Sequence, residues 1–353
     1  MIMTVRRSVT VAAVVASIAF IAACSPTSTA RVIALAYQPP VPPVQQDRRS
    51  VLTSAASASA AAVASPALLL GKPGSASAAQ ATSVALDGST KGFPLASFGL
   101  QIYDDSTAYR LTLTALECGY RNFFASVLAG NQKGFAKAIK ASGIPRDELY
   151  ICGTVLSNRA RGEEAAFVKT KQGCQENMNA FAYGDIMKVD QMMLDYPGLD
   201  ADSIRGQWRA FEDMKREGLV DTLAVSNFNA RQLDAILTMG EGVTKPAVNQ
   251  LPFSVAYHPP GILDYNKERG VLVQSWSPLS RVLTNPTYRP VLASIGNEHG
   301  KTPAQVGLRW IIQNGASFCT QSKSKSHFAE DLDVFDFELS TEEMNKLSQL
   351  ASA

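Results

Sequence analysis

The chain has 353 residues, 46% of them hydrophobic and 18% charged, a balance that supports a globular core and excludes a disordered polymer. A formal net charge of +2 and the lack of any long Lys/Arg run leave no phosphate-tracking stripe, so no nucleic-acid partner is expected. The 5 cysteines show neither CxxC spacing nor a Cys/His cluster, so no metal site is expected; Cys118, Cys152, Cys174 and Cys319 read as buried thiols, although an oxidising compartment would permit a disulfide.

Residues 1–89 are rich in Ala, Ser and Val, poor in acids, and show neither helical nor strand period. Residues 1–30 read as a signal peptide: Arg6-Arg7, an apolar run from Val9 to Ala23, then small residues. Residues 31–89 read as a second presequence and linker, with a basic, Pro-rich spacer, twin Arg48-Arg49, a long small-apolar run and the A-x-A site Ala76-Ser77-Ala78. Signal, spacer and twin-Arg unit in series resemble the presequence of a thylakoid-lumen protein of a plastid. The alternative is a secreted or lipid-anchored bacterial envelope protein, because Ile21-Ala22-Ala23-Cys24 resembles a lipobox. Neither apolar run has the length and leucine content expected of a permanent membrane span.

From Phe93 onward short apolar runs alternate with amphipathic stretches, the pattern of βα units around a parallel sheet. The expected strands are LASFGLQI, YRNFFAS, LYICGTVL, DQMMLDYP, TLAVSNF, AVNQLPF, VLVQSWS and ASFCTQS, with helices such as TAYRLTLTALECG, ADSIRGQWRAFEDMKREG and TPAQVGLRWIIQNG between them. Ser203, Thr302 and Thr341 stand where N-caps belong, Gly119, Gly218 and Gly315 where left-handed C-terminal residues belong, and Ser340 with Glu343 forms a capping-box-like start. No Gly-x-Gly-x-x-Gly follows a strand, which argues against a doubly wound sheet. The expected fold is therefore an α/β (β/α)8 TIM barrel over residues 90–353, preceded by a disordered targeting region, with its site at the C-terminal strand ends.

The runs GLVDTLAVSNFNARQL, AVNQLPF, VLVQSWSPLS, TPAQVGLRWIIQNG and VFDFELSTEEM, in that order, resemble the aldo-keto reductases from Phe93 to about Leu350. The resemblance implies a barrel that reduces carbonyls with NADPH through a tetrad of Asp, Tyr, Lys and His, the Tyr donating the proton. It places Phe124 at the Asp position, Ala129 at the Tyr, Thr154 at the Lys and Asp195 at the His. All four are substituted, and the stretch GYRNFFASVLAGNQ reads as an active-site edge rebuilt without an acid. For the cofactor the resemblance implies that Ser226, Asn227 and Gln250 bond the nicotinamide carboxamide and that Trp276 stacks on the ring, although the same residues could be scaffold. At the phosphate end Ser322 and Glu330 match the family, whereas Gln321, His327 and Asp331 replace its Lys, Arg and Asn, so NADP binding should be weakened; Lys323 and Lys325 could substitute or be a solvated loop.

His258 and His299 read as surface or structural residues, and Tyr103, Tyr183 and Tyr196 as phenols that could reach the barrel mouth. Three functions remain open: a nucleotide- or ligand-binding barrel with weak or no carbonyl reductase activity, an active oxidoreductase rebuilt around Asp195 and Thr154, and a non-catalytic lumenal scaffold holding an apolar ligand against Phe123, Phe124 and Val127. A monomer acting on, or binding, a small carbonyl or apolar molecule is expected.

Overall fold

The computed structural model describes residues 82–352; the signal peptide expected over 1–30, and the presequence expected over 31–89 except for 82–89, lie outside the described residues. Eight parallel strands close into a barrel: β1 (Ala96–Gly99), β2 (Asn122–Phe124), β3 (Tyr150–Leu156), β4 (Val189–Asp195), β5 (Val220–Ser226), β6 (Val248–Pro252), β7 (Leu272–Trp276) and β8 (Ser317–Thr320). Each pairs with its chain neighbour, and β8 closes the ring on β1 through Phe318↔Ala96 and Thr320↔Phe98. Every strand overlaps an apolar run marked in the sequence.

The two-residue period of each strand sorts its side chains into two buried sets. Phe98, Phe123, Ile151, Met192, Leu194, Leu223, Val225 and Val273 face outward and pack against the helices, where Phe98 meets Phe328 edge-on at 4.8 Å. Phe124, Tyr150, Cys152, Met193, Ala224, Val248 and Cys319 fill the interior, so the barrel is a packed core. The close packing is visible at Gly99, where an added Cβ would come within 2.8 Å of the Cys319 sulfur.

The helices are α1 (Asp105–Glu117), α2 (Gln132–Ser142), α3 (Glu163–Phe181), α4 (Ala201–Arg216), α5 (Ala230–Leu237), α6 (Ile262–Lys267), α7 (Tyr288–His299), α8 (Pro303–Gln313), α9 (Lys325–Leu332) and α10 (Thr341–Gln349). Thr302 caps α8 and Ser340 caps α10, each in a reciprocal box with the Gln or Glu three residues on. Two expected caps move. Asp200, not Ser203, caps α4 by accepting the Ser203 amide at 2.8 Å, and Thr341 is the first helical residue behind Ser340. The helix starts at Ala201, so Ser203 lies in its first turn with its amide bonded to Asp200 and its hydroxyl donating to the Ala160 carbonyl at 3.0 Å, which decides the first case. Gly119, Gly218 and Gly315 have φ of 103°, 74° and 80°, as their positions after α1, α4 and α8 require.

The floor is closed by a hairpin in which Ser83–Val84, inside the stretch read as linker, pair with Phe93–Pro94. Phe93 packs edge-on to Tyr150 at 5.0 Å. The hairpin loop also delivers Lys91 to Asp190 at 2.9 Å, where Arg146 reaches the other carboxylate oxygen at 2.6 Å and the Ile151 amide donates at 2.7 Å. No helix among the described residues is long and apolar enough to cross a membrane.

Candidate active site at the barrel mouth

Register brings one row of residues together at the C-terminal edge. Leu156 pairs with Asp195, Asp195 with Ser226, Ser226 with Gln250, and Gln250 with Gln274, across β3 to β7. Asp195 ends β4 on the same face as Gln191 and Met193, so its carboxyl enters the barrel. Trp276 ends β7 two residues beyond Gln274 and shares its face.

The strand ends are held in unusual backbone. Tyr196, Asn227 and Ser277, the residues directly after Asp195, Ser226 and Trp276, have φ of 67°, 63° and 50°, a region costly for residues other than glycine. Such strain concentrates where a side chain must be aimed. Asn227 shows the result: its amide donates to Ser226 Oγ at 2.7 Å, and its Oδ1 accepts the Trp276 indole N–H at 3.1 Å. Beside them Gln250 donates to Gln274 at 2.7 Å, and Gln274 donates to Ser97 Oγ at 3.0 Å. Gln274 was missed in the sequence, although its spacing of two from Trp276 marks it as inward-facing.

Phe124, Ala129 and Thr154, three of the four residues to which the resemblance assigned the tetrad, carry no ionisable side chain; the fourth is Asp195. Phe124 is buried among Phe93, Tyr150 and Cys152, and Ala129 lies in the β2–α2 loop with its amide directed at Ser126 Oγ, 3.4 Å away. Thr154 is fully buried and its hydroxyl is engaged, accepting the Val127 amide at 3.0 Å and donating to the Ala125 carbonyl at 3.3 Å. The loop is pinned a second time by Asn131, which accepts the Ser126 amide at 3.1 Å and donates to the Tyr103 carbonyl at 2.9 Å; the sequence reading gave Asn131 no role.

Asp195 differs from its neighbours in being charged and incompletely paired. It is 2% exposed, and its Oδ2 has no hydrogen-bond partner among the described residues. Burial pushes its carboxyl from 3.8 up to about 6, against which a hydrogen bond with Ser226 works. The carboxylate is still the major form at neutral pH. The Cys152 thiol, raised well above its ordinary range first by burial and then by Cys319, Asp190 and Asp195, stays neutral.

The three tyrosines that could reach the mouth separate. Tyr183 lies in the turn Ala182–Gly184 that enters β4, at the opposite end of the barrel, with Lys133 4.7 Å from its ring. Connections from helix to strand lie at the floor in this topology, which the loop position alone does not reveal. Tyr103 is in the β1–α1 loop at the mouth side but only 5% exposed, with Lys323 5.9 Å from its ring. Tyr196 follows Asp195 directly, in left-handed backbone. His258 is structural, its two ring nitrogens 2.9 and 2.8 Å from the Ser254 and Ser348 carbonyls, and His299 lies 2.8 Å from Glu343.

A nicotinamide carboxamide fits the Ser226, Asn227 and Gln250 set, because these present hydroxyl and amide groups of both polarities beside an indole face. The phosphate end is more committed to internal contacts. Ser322 Oγ lies 3.1 Å from His327 Nδ1 and accepts the Ser324 amide at 3.1 Å, and Lys325 pairs with Glu117 at 2.9 Å. Glu330 accepts from the hydroxyl of Thr302, the residue that caps α8, and Asp331 is buried.

The family model that matches this chain is that of the aldo/keto reductase family, over residues 92–352. A glyoxal reductase of Bacillus subtilis is 32% identical over 267 residues, 73% of this chain and 90% of its own. An aldo-keto reductase of Mycolicibacterium smegmatis is 31% identical, covering 73% of this chain and 87% of its own. Among solved structures, an aldo/keto reductase from Brucella melitensis superposes with a TM-score of 0.66 at 26% identity, over 76% of this chain and 98% of its own.

Proposed function

The chain belongs to the aldo/keto reductase family, and from that premise we propose that it is a nicotinamide-nucleotide-binding barrel in which carbonyl reduction by the family mechanism is weak or lost. The observation that carries this reading is the hydrogen-bonded chain from Trp276 through Asn227 to Ser226, which pairs in register with Asp195. A nicotinamide nucleotide, where bound, supplies or accepts hydride. The residues of this chain would hold it: Ser226, Asn227 and Gln250 on the carboxamide, Trp276 against the ring, and Ser322 and Glu330 toward the phosphate and adenine ends.

What the mouth lacks is a donor for the oxyanion that forms as a carbonyl accepts hydride. Thr154 has its hydroxyl committed to the loop backbone, and a carboxylate at position 195 repels a developing alkoxide. With glyoxal and simple aldehydes, turnover should therefore fall about a thousandfold or more below that of a tetrad-bearing relative. Binding is tested by titrating the tryptophan fluorescence of the full chain with NADPH and, for comparison, NADH. Saturation in the micromolar range is expected, and no binding at millimolar nucleotide would remove the reading. Aldehyde turnover at the rate of the tetrad-bearing relatives would remove its second half.

One observation favours a second reading, an active oxidoreductase rebuilt around Asp195 with Thr154 as support: the Asp195 carboxyl, lifted to about 6, is near the range in which a group exchanges protons with a substrate. If turnover is found, Asp195→Asn should abolish it, and an unchanged rate would exclude Asp195 from the chemistry. The location proposed with either reading is the thylakoid lumen, on the tandem signal pattern alone.

A further inference from the structure

We infer that Asp195 makes the barrel mouth selective for the oxidised, positively charged form of a nicotinamide nucleotide over the reduced, neutral form. The inference rests on the nucleotide-binding reading above and goes beyond it by assigning a preference between redox states to one side chain. Asp195 is one register step from Ser226 and hydrogen-bonded to it, which sets the carboxylate next to a residue of the nicotinamide subsite. Its Oδ2 has no partner among the described residues, so a cation arriving at the mouth meets a charge with one oxygen unclaimed.

The surroundings leave that charge uncompensated. Ser226, Gln250, Gln274 and Ser97 form a neutral row, and Phe124, Ala129 and Thr154 add no charge. Lys91 and Arg146 are committed to Asp190 at the floor. Burial strengthens the effect, because a charge screened by protein rather than water acts over a longer distance and needs no direct contact with the ring. The two redox forms share carboxamide, sugars and phosphates, and differ at this site chiefly in the charge of the ring. Their affinity ratio therefore isolates what Asp195 contributes.

The preference should depend on pH. On β3 the register partner of Asp195 is Leu156, and the titratable group that feels its charge is the Cys152 thiol, neutral throughout this range; the group from β5 is the non-ionising Ser226, and Tyr196 follows Asp195 in the chain. The causes of the shift at Asp195 are burial and Ser226 alone, with no charged side chain among them. Asp195 itself, with its carboxyl near 6, is then the group whose ionisation sets the ratio. Binding of the oxidised form should also release protons near pH 6, because a positive ring lowers the affinity of Asp195 for its proton.

The test titrates the full chain and Asp195→Asn with NADP+ and NADPH at pH 7.5 and pH 5, with Glu148→Gln, which removes an exposed carboxylate just before β3, as a control that leaves the Asp195 charge in place. NADP+ should bind about tenfold more tightly than NADPH to the parent chain at pH 7.5. The ratio should approach one in Asp195→Asn and in the parent chain at pH 5, and persist in Glu148→Gln at pH 7.5. Proton release on adding NADP+ in weakly buffered solution at pH 6, absent with NADPH and absent in Asp195→Asn, gives a second readout. Equal affinities, or tighter NADPH binding, would overturn this inference while leaving the nucleotide reading intact. Failure of both nucleotides to bind would overturn both together.

Discussion

Strand β4 begins and ends near an aspartate, and the two have opposite fates. Asp190, at the floor, has a side chain 4% exposed and meets Lys91, Arg146 and the Ile151 amide, so its charge and its hydrogen bonds are matched. Asp195, at the mouth, is equally buried, yet among the described residues one oxygen is unclaimed and no cation pairs with it. A chain selected only for stability would not keep the second arrangement, because burying an unpaired charge costs several kcal/mol where a neutral side chain costs nothing. The floor is built to hold the barrel together; the mouth carries a cost of the kind found at functional sites.

The largest way to break the contrast is to remove the matched charge. Asp190→Asn leaves Lys91 and Arg146 facing a neutral amide in the floor, and should lower unfolding free energy by about 3–4 kcal/mol, read from urea denaturation at pH 7. At the other end of the strand the sign reverses. The Asp195 carboxyl titrates at about 6 in the folded chain against an ordinary 3.8, so between those values the folded state holds a proton that the unfolded state has released. Stability is then full below about pH 4 on this account and is lost as pH rises through 6, by about 3 kcal/mol at about 1.4 kcal/mol per pH unit of displacement. Asp195→Asn should recover about 2–3 kcal/mol at pH 7.5 and little at pH 4. A loss of stability at pH 7.5 would mean that the carboxylate is paired after all.

How much of this was legible in the sequence follows from the range of the forces involved. The eight strands were, because a parallel strand buried on both faces writes a short apolar run locally; the hairpin strand Ser83–Val84 was not, because two residues make no run. The assignment of Phe124, Ala129, Thr154 and Asp195 to the tetrad rests on motif order and spacing alone. The surroundings of these residues were not legible. The unclaimed oxygen of Asp195, the bond from Gln274 to Ser97 across 177 residues, and the placing of Tyr183 at the floor all depend on barrel closure, which no local run of sequence encodes. Helix capping lies between these cases: the Thr302 cap of α8 and the Ser340–Glu343 box of α10 were readable, whereas at α4 the sequence pointed to Ser203 and the cap is Asp200.

The smallest expected effect tests whether Thr154 belongs with the floor or with the mouth. On the neighbouring strand it pairs with Met193, two residues before Asp195, and its hydroxyl faces the loop, not the barrel axis, through Val127 and Ala125. If this is scaffold, Thr154→Val leaves the Val127 amide without its acceptor and costs about 1–2 kcal/mol, while the nucleotide affinities stay as they were. Because valine keeps the volume, the loss would come from the hydroxyl and not from a cavity. Should nucleotide affinity change instead, with stability untouched, the hydroxyl would be serving the ligand, and Thr154 would have to be grouped with Asp195 at the mouth.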